Sequence, residues 1–168
     1  MWYVMQVQTG KEKETEVQCG KLIDGDVLER CFIPYYEEMK HYLGAWHKER
    51  RILFPGYVFL ISDKINELFI QLKKVIGMTR ILEVGHDIVP LSDEEVDFLL
   101  SFGTQEQVVK MSKGILEHDT ITILEGPLQG YEGSIKRINR HKRKAWVEIG
   151  MFGRKMVVEV GLEIVVKR

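Results

Sequence analysis

At 168 residues, 45% hydrophobic and 29% charged, the chain has the composition of an ordinary globular protein of one or two small domains. Its net charge of −1 hides an asymmetry: residues 1–113 carry 14 Lys/Arg against 18 Asp/Glu, and residues 114–168 carry 10 against 7. An acidic front and a basic back imply different partners, and no apolar run approaches the roughly 20 residues that a membrane helix needs.

Taken in order, Trp2-Tyr3-Val4-Met5-Gln6-Val7 is rich in aromatic and β-branched residues and predicts an opening strand. Thr9 and Glu12 stand in capping-box register and predict a helix start. The apolar face of that helix is thin (Val17, Cys19, Leu22, Ile23), and Asp24-Gly25-Asp26 ends it. Residues 27–39 read as a long strand interrupted by Pro34, hence an edge or a bend. Residues 40–51 read as a polar, basic connection, with four Lys/Arg and two His against Glu49 alone. The apolar run of residues 52–61 is broken by Pro55-Gly56.

Asp63 predicts an N-cap, and Ile65, Leu68, Phe69, Leu72 and Val75 form the apolar stripe of the helix after it. Gly77 closes that helix, and residues 78–84 predict a strand. Ser92 and Glu95 form a second capping-box pair, with Val96, Leu99 and Leu100 as the apolar face and Gly103 as the stop. Residues 104–113 are polar and without a period, and predict a linker. Only strands are expected beyond it. Met156, Val158 and Val160 alternate with Val157 and Glu159 at period two.

The most informative stretch is residues 124–146. Gly126-Pro127-Leu128-Gln129-Gly130-Tyr131-Glu132-Gly133 is turn material between two apolar, β-branched runs. After it, residues 136–144 hold six Lys/Arg and one His with no acid. Asn139 favours a turn, and Ala145-Trp146-Val147 follows, so the basic run predicts a hairpin tip. Such a run is either a solvated loop or a phosphate contact; with no acid inside it, its field is uncompensated.

A strand, then GPLQGYEGSI, then a return strand resembles a KOW motif. With WYVMQVQTGKE at the front, LFPGYVFL in the middle and GMFGRKMVVEV near the end, the chain resembles the NusG family of transcription elongation factors across nearly its whole length. The resemblance implies an α+β N-terminal NusG (NGN) domain over residues 1–103, an antiparallel sheet with packed helices. It also implies a linker over 104–113 and a C-terminal all-β, SH3-like KOW barrel over 114–168.

It further implies an apolar patch that docks on a coiled coil of the largest subunit of RNA polymerase. Carried over residue by residue, that patch is Tyr3, Phe54, Pro55, Gly56 and Tyr57, with Trp2 and Ile76. Pro55-Gly56 is expected to turn an aromatic outward, which would make Phe54 an exposed anchor. The edge near residues 40–51 would lie by the non-template DNA strand: Lys48, Arg50 and Arg51 at phosphate, Trp46 or His47 on a base. Phe152, between glycines in a turn, is either a partner contact (for Rho or a ribosomal protein) or a cap on the barrel core.

The dense basic run departs from the housekeeping pattern and resembles the specialised paralogs of the LoaP type. These act on long operons and recognise an RNA hairpin. That places the RNA contact on Lys136, Arg137, Asn139, Arg140, His141, Lys142, Arg143 and Lys144. The alternatives are a housekeeping factor whose barrel binds Rho or a ribosomal protein, and a ribosome-associated KOW protein. An enzyme is not expected, since no nucleophile-base pair, paired carboxylates, Walker loop or dinucleotide fingerprint stands out. Cys19 and Cys31 lack a CxxC spacing, no signal peptide precedes them, and the five histidines show no metal-ligand spacing. A cytoplasmic monomer with reduced thiols, no metal and no cofactor is the expectation.

Overall fold

The computed structural model describes residues 1–75, 78–81, 83–84, 87–88 and 90–167. In chain order the elements are β1 (Trp2–Val7), α1 (Glu12–Leu22), β2 (Arg30–Phe32), β3 (Tyr35–Tyr42), β4 (Ala45–Ile52), β5 (Tyr57–Ile61), α2 (Ile65–Leu72), β6 (Met78–Ile81), β7 (Glu83–Val84), β8 (Asp87–Ile88), α3 (Asp93–Gly103), β9 (Val108–Val109), β10 (Ser112–Glu117), β11 (Thr120–Glu125), β12 (Ile135–Asn139), β13 (Lys144–Met151) and β14 (Arg154–Lys167). Among the described residues, no helix is long and apolar enough to cross a membrane. The chain divides into two compact units. One comprises Met1–Ile33 and Phe54–Val96, the other Pro34–Leu53 and Asp97–Arg168.

The first unit is built on the sheet β2-β5-β1-β6, with β1 antiparallel to both of its neighbours. Met5, Phe54, Phe59, Leu60, Leu68 and Leu72 are among its fully buried side chains. The predicted capping box at Thr9–Glu12 does not form. Glu12 is itself the first residue of α1, and its buried carboxylate accepts the N–H of Gly10 at 2.7 Å and of Gly56 at 2.9 Å. The acid thus fastens the turn after Phe54 instead of the helix end. At Ser92 the predicted box is present: Glu95 N–H donates to Ser92 Oγ at 3.2 Å, and Ser92 N–H donates to Glu95 Oε1 at 2.9 Å. The predicted helix stop at Gly77 lies outside the described residues, as do parts of the predicted strand at 78–84. Both cysteines are free thiols; Cys31 is pushed up by its hydrogen bond with Cys19 and by burial.

The second unit holds the sheet β4-β3-β9 and the sheet β11-β10-β14-β13-β12. Two predictions change here. Residues 40–51, expected as a connection, are most of a long β-hairpin, with β3 and β4 paired from Tyr35↔Ile52 to Tyr42↔Ala45. Leu43 (φ 53°) and Gly44 (φ 76°) supply the two-residue turn with positive φ that suits a right-twisted hairpin. Residues 104–113, expected as a bare linker, carry β9, which runs parallel to β3 at Tyr35↔Val108 and Tyr36↔Val109. The β-branched pair Val108-Val109 is buried, and Gln107 Nε2 donates to Leu99 O at 3.0 Å and Thr104 O at 2.7 Å. The local polarity is therefore taken up by hydrogen bonds and not by solvent alone.

In the larger sheet, β14 pairs antiparallel with β13 along Arg154 to Gly161 and parallel with β10 from Leu162 onward. Leu128, Val147, Met151, Val160 and Leu162 fill its core. The glycine-rich stretch 126–133 is a turn, as predicted, followed by a 3-10 turn at Glu132–Ser134. Leu128 N–H donates to Ser112 Oγ at 3.1 Å and fixes that turn on β10.

Candidate nucleic-acid interface

The basic run forms the predicted hairpin. β12 and β13 pair up to Asn139↔Lys144, and residues 140–143 make the tip. Asn139 Oδ1 accepts the N–H of Lys142 at 3.0 Å, and Arg143 N–H donates to Arg140 O at 3.3 Å. Arg143 itself takes φ 55°, a left-handed position that closes the tip.

The cations of this run are not equivalent. Lys144 is turned inward, with its side chain 14% exposed and its ammonium 3.2 Å from Glu38 and 3.5 Å from Glu159. Lys136 pairs with Glu148 at 3.8 Å. Arg137 lies over the Trp146 ring at 4.6 Å, and Arg143 lies over the Trp46 ring at 4.0 Å. Arg140, His141 and Lys142 are exposed, and among the described residues their side chains form no ion pair or ring stack. So the eight residues expected to meet RNA divide into an outward tip and a set already engaged within the fold. A strand sends neighbours to opposite faces, which is why Lys136 and Arg137 find separate partners.

Lys144 belongs to a network around the buried Glu38 and Tyr36 that the sequence did not reveal. Tyr36 OH donates to Glu159 Oε2 at 2.8 Å and lies 3.5 Å from Glu38 Oε2. Arg51 reaches Glu38 at 3.7 Å. Burial, then Glu159, pushes the Tyr36 hydroxyl well up, so it acts as a donor throughout the neutral range. Burial alone would raise Glu159, but Tyr36 and Lys144 outweigh it and hold this carboxyl below its usual value. The signals were present as Tyr36, Glu38 and Glu159, yet they lie on β3 and β14, and only their meeting makes them a site.

The second basic stretch contributes to the same face. Trp46 is 37% exposed on β4, with the His41 ring edge-on at 5.2 Å. Tyr42 and His47 stack at 3.9 Å, and His47 Nε2 sits 3.1 Å from Tyr42 O. Lys48, Arg50 and Arg51 are exposed. Trp46, Lys40, Arg51, His141, Lys142 and the buried Glu38 are among the residues lining one cavity of about 360 Å³.

The residues expected as a docking patch differ from expectation. Phe54 is not turned outward. It is fully buried against Phe59, with ring centroids 5.8 Å apart, and Tyr3 and Tyr57 are buried as well. Gly56, at φ 87° and held by Glu12, absorbs the irregularity in the backbone, so both flanking aromatics stay inside. Pro55 is exposed, Trp2 is half-buried, and Ile76 lies outside the described residues. Phe152 is half-exposed in the turn between β13 and β14.

Residues 1–100 match the family model described as "Transcription termination factor nusG". The transcription termination/antitermination protein NusG of Halalkalibacterium halodurans is 29% identical over 168 residues, covering 95% of this chain and 93% of that protein. The protein of the same name from Thermus thermophilus is 28% identical, covering 99% of this chain and 97% of that protein. A solved structure of Thermotoga maritima NusG superimposes with a TM-score of 0.61 over 95% of this chain and 92% of that one, at 23% identity, a likeness of fold alone.

Proposed function

Because the chain belongs to the NusG family of transcription termination and antitermination factors, we propose that it is a specialised elongation and antitermination regulator of the LoaP type. In this reading the C-terminal β-sheet region is a KOW domain that holds a structured nascent RNA hairpin. The N-terminal domain docks on the coiled coil of the largest RNA polymerase subunit, with the accessible Trp2 and Pro55 at the surface and Phe54 supporting them from below. The exposed β4 residues Lys48, Arg50 and Arg51, with His47, face the non-template DNA strand, while Trp46, under the Arg143 guanidinium, belongs to the face of the basic hairpin. Holding polymerase and RNA at once raises the effective concentration of the second contact, so modest individual affinities suffice.

One observation carries this reading: Arg140, His141 and Lys142 stand exposed at a hairpin tip that contains no acid. Folded RNA is met through shape and phosphate, which suits such a tip. The double reversal Arg140→Glu and Lys142→Glu should weaken binding to a hairpin RNA by about tenfold or more near 0.1 M salt. Capture of polymerase should be unchanged. Gel shift and polymerase pull-down of the same variant check both. Equal RNA affinity in the variant and the parent would return the tip to a solvated loop.

A second reading, a housekeeping factor whose KOW domain binds Rho or a ribosomal protein, draws on Phe152. It sits at φ 57° beside Gly153 at φ 72°, a position where Asn or Gly costs less. A half-exposed aromatic kept in a left-handed turn suits a protein contact. Loss of Rho or ribosomal-protein capture in Phe152→Asn, with RNA binding absent in the parent, would favour it.

A further inference from the structure

We infer that the cavity between the two basic hairpins, lined by Met39, Lys40, His41 and Trp46 from one and His141 and Lys142 from the other, takes one nucleoside monophosphate unit, its base against Trp46 and its phosphate at Lys40 and Lys142. The inference deepens the RNA reading above and rests on it for the source of the nucleotide, an unpaired residue of a folded RNA.

The composition of the walls argues for this ligand. At about 360 Å³ the cavity is at the small end of ligand pockets, which run ≈ 300–1,000 Å³, and fits one nucleotide better than a duplex. It has an aromatic wall. Trp46 is 37% exposed, the His41 ring meets it edge-on at 5.2 Å, and the Arg143 guanidinium over its ring at 4.0 Å holds its orientation. Base stacking on such a ring tolerates any sequence, since every base has a π face. It also has a cationic rim. Among the described residues, the ammonium groups of Lys40 and Lys142 form no ion pair, unlike Lys144 beside them. The floor is anchored. Glu38 is buried and tied to Lys144 at 3.2 Å, Arg51 at 3.7 Å and Tyr36 OH at 3.5 Å. That network joins β3 to β13, so the two hairpin tips present one face. An aromatic wall beside unpaired cations is the arrangement that meets a base and its phosphate together.

The test uses the full chain and two probes. One is a short RNA hairpin with a single bulged nucleotide, set against the same hairpin fully paired. The other is the set of free mononucleotides AMP, GMP, CMP and UMP. Anisotropy reads RNA binding, and the Trp46 indole N–H signal in an NMR spectrum reads the cavity. The expected result is tighter binding of the bulged hairpin, an advantage lost by about tenfold in Trp46→Ala and largely restored in Trp46→Phe. Free mononucleotides should shift the Trp46 signal at much higher concentration. If bulged and paired hairpins bind alike, and Trp46→Ala changes neither, the cavity inference is overturned while the RNA reading stands. If mononucleotides shift Trp46 and no hairpin binds, the cavity holds a free nucleotide and the RNA reading falls. Binding of neither probe overturns both.

Discussion

Replacing Phe54 with alanine is expected to cost about 3–5 kcal/mol of stability, the range for truncating a fully buried phenylalanine. Phe54 is 0% exposed and ends a run of aromatic contacts through the first unit. Its centroid is 5.8 Å from Phe59, which stacks at 5.4 Å on Phe32, which meets Trp2 edge-on at 5.1 Å. Removing the ring loses its transfer free energy and opens a void that this packing cannot fully close. Against a typical total of about 5–15 kcal/mol, that loss is enough to populate unfolded chains. Urea unfolding followed by far-UV circular dichroism measures it, with Pro55→Ala at the exposed neighbouring position expected to change stability by less than about 0.5 kcal/mol. A cost below about 1 kcal/mol for Phe54→Ala would mean the ring lies at the surface. The same variant should lose polymerase binding only in proportion to its loss of folded protein.

Gly126→Ala is expected to cost more than about 2 kcal/mol, because conformation and space both exclude a side chain there. Its φ is 107°, and a Cβ would meet Ser112 Cα at 2.6 Å and Met111 O at 2.9 Å, both backbone atoms that cannot swing aside. The turn would have to lift away from β10, breaking the bond from Leu128 N–H to Ser112 Oγ and exposing the buried Leu128. Gly130 provides the control. It has φ 89° but nothing within 4 Å of the added carbon. Gly130→Ala should therefore show the conformational cost alone, about 1 kcal/mol, and thermal melts of both variants separate the two contributions. Equal melting temperatures would show that the close approach at Gly126 relaxes freely.

The helices were legible where local chemistry dictates them. Leu68 and Leu72 of the expected α2 stripe are buried, though Phe69 stays exposed and Lys64, not Asp63, is the N-cap; the reciprocal bonds of Ser92 and Glu95 follow from spacing alone. The glycine-rich turn and the basic hairpin were legible for the same reason. The hairpin at residues 40–51 was not. Its β4 face is largely exposed, so no apolar alternation marks it, and Leu43-Gly44 is not a strong turn signal. The burial of Phe54 was hidden because it depends on Glu12, distant in sequence, accepting the Gly56 N–H. Within the candidate site the sequence supplied the cations but could not rank them. Lys144 and Lys142 look alike in the chain; only Glu38 and Glu159, brought in by β3 and β14, turn the first inward and leave the second exposed.

If the whole run met phosphate, six Lys/Arg would release counterions. The structure leaves Arg140 and Lys142 outward, with Lys40 beside them on the other hairpin. The measurement is the affinity of the wild-type protein for a hairpin RNA across about 50–200 mM salt, with log K plotted against log salt. At roughly −0.7 to −0.9 per neutralised phosphate, two or three contacts predict a slope of about −1.5 to −2.5. A slope steeper than about −4 would mean that the engaged lysines and arginines leave their partners to meet RNA; a flat line, or no binding at all, would contradict the claim that this tip binds RNA.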